Sequence, residues 1–138
     1  MNATLLYRIA AFVFVLFALG HTYGFLSLRA PSAEGRAVYD SMNNVHFQLG
    51  GHSYSYGGFY RGFGLSNTVS MVFWAFLSWH LGELARSAPG TIGALGWAFF
   101  GVQVGGVVLS FLYFGLPAIV LSALVAVVVG SAAWLAGK

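Results

Sequence analysis

The chain has no cysteine among its 138 residues. Its absence excludes disulfides, thiol redox chemistry and thiolate ligands for zinc, haem or iron–sulfur clusters. Charge is also scarce: six basic and three acidic side chains make up 7% of the residues, where an average soluble domain carries about 25%. Nine charged side chains cannot cover the surface of a water-soluble domain of this length, and 59% of the residues are apolar. The basic residues Arg8, Arg29, Arg36, Arg61, Arg86 and Lys138 stand singly. Without a basic cluster there is no electrostatic footprint for nucleic acid. What is left is the composition of an integral membrane protein.

A hydrocarbon core about 30 Å thick takes roughly 20 apolar residues in a helix. Four segments meet that length: residues 5–28, 63–84, 92–114 and 117–136. Helices are the sensible reading, because unpaired backbone is costly in lipid and the alternation of a membrane barrel is missing. The first segment also has the look of a secretory signal, with Arg8, an apolar core and small residues near Gly20. We read it as a retained first span. Pro89-Gly90 and Gly115 with Pro117 mark short turns between the later segments. Such turns predict an all-α bundle of four antiparallel transmembrane helices within a single membrane domain.

About 34 residues separate the first two segments. Val38, Met42, Val45 and Leu49 recur there at i, i+4, i+7 and i+11, opposite Arg36, Asp40, Asn43 and Asn44. That pattern predicts an amphipathic interfacial helix over about 32–49, lying on the membrane or capping the bundle. A Gly/Tyr-rich turn over 50–62 then leads into the second span. Basic residues divide almost evenly between the two sides. The uncleaved-anchor character of the first helix points to cytoplasmic termini.

Polar groups in or beside a span need a reason. His21 lies in the last turns of the first segment, His46 at the edge of the amphipathic stripe, and His52 just past it. Their convergence at one end, near Tyr23, Tyr54, Tyr56, Tyr60 and Arg61, would line a polar site under the cap. Three imidazoles with an open position can also hold a catalytic metal, although the spacing matches no tight motif. The alternative is a set of interface residues: tyrosines at headgroup level, Arg61 on a lipid phosphate, and His21 bonded to a neighbouring helix. Glycine density in residues 50–64 exceeds what an anchor requires and favours a tightly folded turn.

At the other end, His80, Glu83 and Arg86 follow at three-residue spacing, with Arg8 at comparable depth. An ion pair of Glu83 with Arg8 or Arg86 is the economical reading, and a His80–Glu83 proton relay is the competing one. His21 and His80 fall roughly 12 Å apart in depth at about 1.5 Å per residue. A bis-histidine haem between the first two spans is therefore disfavoured, while a single axial histidine stays open. Gln103 is read as a bond across helices. Gly101 and Gly105 form a G-x-x-x-G ladder, and Ala118, Ser122, Ala126 and Gly130 form another. Small residues in this register serve either packing within one bundle or a homo-oligomer or larger-complex face.

The runs Gly20-His21-Thr22-Tyr23-Gly24-Phe25, residues 46–65 and residues 79–89 resemble a small uncharacterised family of bacterial four-helix membrane proteins. In outline the chain is also similar to small four-helix proteins of the DoxX type, without a shared motif. The resemblance implies a bacterial cytoplasmic membrane and carries no activity. The expectation from the residues is a membrane protein binding a lipophilic molecule or lipid headgroup through His21, Tyr23, His46, His52, Tyr54, Tyr56, Tyr60 and Arg61. A small membrane enzyme using histidine chemistry and an accessory subunit of a complex are the alternatives.

Overall fold

The computed structural model describes residues 2–27 and 30–138. Leu28, the expected end of the first span, and Arg29, used in the orientation argument, lie outside them. The described residues form α1 (Ala3–Ser27), α2 (Ala33–Asn44), a hairpin of β1 (His46–Leu49) and β2 (His52–Ser55), α3 (Tyr56–Ser87), α4 (Gly93–Tyr113) and α5 (Leu116–Ala136). Local chemistry sets many of the ends. Asn2 Oδ1 accepts from the Leu5 amide at 2.9 Å and Ser32 Oγ from the Gly35 amide at 3.0 Å, each capping a helix start. Pro89 closes α3 through a short 3₁₀ turn, and Pro117 sits in the first turn of α5.

Three helices, α1, α4 and α5, are long and apolar enough to cross a membrane. Sequence reading expected four. The missing one is α3, which has the length but is diluted by Ser66, Asn67, Thr68, Ser70, Ser78, His80 and Glu83.

The helices divide between two compact units, residues 1–17 with 71–138, and residues 18–70. In the first unit, Leu6, Tyr7, Ala10 and Phe14 of α1 share one buried cluster with Ala75 and Leu81 of α3, Ile92, Phe99 of α4, and Val125, Val129 and Ala132 of α5. Phe14 packs between α3 and α4 in this cluster, its ring centroid 5.7 Å from Trp74 and 5.9 Å from Phe99. α4 and α5 pack antiparallel: Ser110 and Ser122 hydroxyls meet at 2.8 Å, Phe100 covers Gly130, and Ala133 lies against Gly96. Ser122 and Gly130 of the α5 ladder thus pack against α4. Gly101 and Gly105 of α4 are exposed, with open space beside them. Gln103 is buried, and its amide nitrogen has no partner in place of the expected cross-helix bond.

The second unit holds the hairpin. Expected to run to Leu49, α2 ends at Asn44, and the Val45 amide closes it on the Ser41 carbonyl. His46–Leu49 and His52–Ser55 then pair antiparallel across Gly50 and Gly51, whose φ values are +59° and +81°. Both turn residues lie where side chains are strained, and two such glycines give the right-handed twist a two-residue hairpin needs. The remainder of the expected turn is helix, since α3 begins at Tyr56. Its amide reaches back to the Val45 carbonyl at 3.2 Å, tying the hairpin's two ends together.

Candidate functional site: an aromatic pocket at Arg61

The hairpin register decides what the histidines can do. His46 stands opposite Ser55, and Leu49 opposite His52. Side chains alternate along a strand, and directly paired residues share a face. His46 and His52 therefore point to opposite faces of the hairpin. His46 Nδ1 lies 2.8 Å from the Asn44 carbonyl, and both side chains are exposed. His21 is half-buried, and its Nε2–H donates to the Gly64 carbonyl at 3.0 Å. The three imidazoles are not brought together. Among the described residues, no group of three or more His, Cys, Asp or Glu side chains could hold a metal ion. Sequence spacing had put His46 on an inward helical edge, and the helix stops before it.

On the opposite face, Phe47 stacks obliquely with its cross-strand partner Tyr54 at 6.1 Å. It also meets Tyr56 at 4.9 Å and Phe59 at 5.4 Å, and Phe59 meets Phe63 at 4.8 Å. His52 touches only this cluster's rim, 6.4 Å from Tyr54. The tyrosines at 54 and 56 thus join an exposed aromatic ladder. Tyr23 is 76% exposed and stands apart from it.

Tyr60 and Arg61 do line a cavity. With Phe25, Leu26 and Tyr39 they enclose a pocket of about 250 Å³. The pocket is built from α1, α2 and α3, and one small residue seats its back wall. Phe25 packs against Gly64 so closely that an added Cβ would overlap its ring. So placed, Phe25 stacks on His21 at 5.8 Å and tilts against Tyr60 at 5.3 Å. The His21–Gly64 bond and the Thr22–Thr68 hydroxyl pair at 2.9 Å hold α1 and α3 at that separation. Arg61 donates to the Tyr39 hydroxyl at 3.3 Å. Among the described residues no acid pairs with Arg61. An unneutralised guanidinium and a phenol beside three apolar walls suit a small anionic group carried on something greasy.

Phe25, Leu26 and Tyr39 were not among the residues singled out from the sequence. Tyr39 sits next to Asp40, off the apolar stripe. Phe25 follows His21 by one turn, which is the only signal that could have linked it to the site.

The second constellation resolves as an ion pair. Glu83 accepts from Arg8 at one oxygen and from Arg86 at the other, at 2.5 and 2.8 Å. The Arg8 guanidinium also lies 5.1 Å over the Trp79 ring. His80 stacks on Phe76 at 6.3 Å, and no hydrogen bond joins it to Glu83.

The chain matches no family model, no curated protein and no solved structure.

Proposed function

We propose that this is an integral membrane protein of the bacterial cytoplasmic membrane, with cytoplasmic termini and α3 crossing as a fourth antiparallel span. Its 18–70 unit binds the anionic headgroup of a lipid or lipophilic small molecule. One observation carries the reading: the acid-free Arg61, held on Tyr39 at an aromatic pocket. Size narrows it. At about 250 Å³ the pocket is smaller than the roughly 300–1,000 Å³ that encloses a whole drug-sized ligand. A headgroup fits, with its chain left in the bilayer.

Binding is preferred to catalysis because the ring nitrogen of His21 that faces α3 is committed to a backbone carbonyl. The test is a photo-crosslinking residue at Leu26, in the pocket wall, compared with one at exposed Leu19. Lipid adducts at position 26 should fall severalfold in Arg61→Gln, while those at position 19 stay level. Equal yields with and without Arg61 would reject the reading.

A second reading has its own support. Gly101 and Gly105 are free to receive a helix from another chain, as a homo-oligomer or accessory subunit would require. Because the natural chain lacks cysteine, Gly101→Cys gives a clean crosslinking test in native membranes.

A further inference from the structure

A second cavity lies wholly within the first unit. It is a groove of about 640 Å³ between α4 and α5, open along one side. Trp97, Phe100 and Val107 form one wall and Ala123, Gly130 and Trp134 the other. The groove exists because α5 is small where α4 is large: Gly130 admits the Phe100 ring, and Ala123 and Ala126 leave the space beyond it unfilled. Both walls belong to helices apolar enough to cross a membrane, so hydrocarbon is the medium around it.

Two features select the occupant. From Trp97 to Val107 the groove runs ten residues, about 15 Å at the rise of a helix, which is half of a core about 30 Å thick. One leaflet's depth of acyl chain fits that length. At the tryptophan end, Lys138 Nζ lies 3.5 Å over the Trp134 ring, and no acidic side chain pairs with it among the described residues. Tryptophans and a lysine at that end belong at headgroup level, where a basic side chain favours anionic over zwitterionic lipid.

We propose that the α4/α5 groove is a binding site for one anionic phospholipid, with an acyl chain along Phe100 and Val107 and the phosphate at Lys138. The site is separate from the Arg61 pocket and does not depend on it.

Tryptophan makes the test selective, because all four tryptophans lie at 74, 79, 97 and 134, outside residues 18–70. The full chain, as Trp74→Phe/Trp79→Phe, is placed in phosphatidylcholine vesicles. A fixed minor fraction of either phosphatidylglycerol or phosphatidylcholine carries brominated acyl chains, which quench nearby indoles. Brominated phosphatidylglycerol should occupy the groove roughly fivefold more tightly, the factor about one basic residue contributes at a membrane surface. Lys138→Gln should abolish that preference and leave quenching in place. Ala123→Phe, which fills the groove, should weaken quenching by both lipids. Native mass spectrometry of the unsubstituted chain should retain phosphatidylglycerol in preference to phosphatidylcholine, and covers the case in which a variant does not fold.

Equal quenching by the two lipids with Lys138 intact would overturn the proposal. So would quenching unaffected by Ala123→Phe, or a dimer whose formation shields Trp97 and Trp134. The last result would give the groove to a second copy.

Discussion

Gly64→Ala separates two effects of opposite sign. In an open helix position, alanine for glycine stabilises by about 1 kcal/mol through backbone entropy. At Gly64 the new Cβ would stand 2.5 Å and 2.6 Å from Cε2 and Cε1 of Phe25, with Cζ closer still. Carbon pairs prefer about 3.5–4.0 Å, so the ring has to retreat by about 1 Å. It has little freedom to do so, stacked on His21 and packed on Tyr60. Overpacking of this kind costs about 1–3 kcal/mol. Gly62, in the same helix with nothing within 4 Å, is the matched control. Unfolding titrations in mixed micelles should therefore show Gly62→Ala stabilised. Gly64→Ala should lie below it by about 1–3 kcal/mol and lose the Arg61-dependent lipid adduct at position 26. Phe25→Leu should rescue the stability of Gly64→Ala but not its binding. If Gly64→Ala is stabilised as much as Gly62→Ala, Phe25 does not sit where the pocket requires, and the reasoning is refuted.

Tyr7 is fully buried with its hydroxyl unpartnered, so Tyr7→Phe should raise stability by about 1–3 kcal/mol, the cost of an unpaired buried group; a fall in the same titration would refute this. Gly51→Val forces a β-branched side chain to φ +81° and should cost about 1–2 kcal/mol, read as faster amide exchange across β1 and β2, while Gly50→Asn should be tolerated. Ser110→Ala and Ser122→Ala should couple by about 0.6 kcal/mol in a double-mutant cycle, typical of an interhelical bond in a membrane protein; strict additivity would deny the hydroxyl pair.

The breaks between the later helices were legible because each has a local chemical cause, whereas the end of α2 and the start of α3 were misplaced. The prolines at 89 and 117 act on their own neighbours, and the folded chain breaks at them as read. The hairpin was illegible for a specific reason. The apolar series 38, 42, 45, 49 satisfies helical spacing while residues 46–49 also alternate toward Gly50-Gly51, a two-residue turn signal. Period alone cannot arbitrate between them. Choosing the helix put His46 on an inward edge, and the three-histidine site followed from that choice. Arg61 and Tyr60, which line the candidate pocket, stood out in the sequence because an arginine among rings at a span's edge is conspicuous. Tyr39 was not, because its partnership with Arg61 spans 22 residues and leaves no periodic trace.

The same distinction accounts for α3 and bears on whether it spans. A hydropathy sum charges each polar side chain as though its groups met hydrocarbon unpaired. In α3 most do not. Ser66 donates to the Phe63 carbonyl and Ser70 to the Ser66 carbonyl, while Thr68 bonds Thr22. Glu83 carries two arginines. Leu65, Val69, Val72, Phe73, Phe76 and Trp79 are exposed and apolar, and Ser66 and His80 are exposed beside them. Among the described residues, Asn67, Ser78 and His80 make no side-chain hydrogen bond, and of these Ser78 is fully buried; a buried hydroxyl costs less than a charge. Most of the polar side chains that lower the hydropathy of α3 are thus paired within the chain, and a paired polar group costs less than an unpaired one.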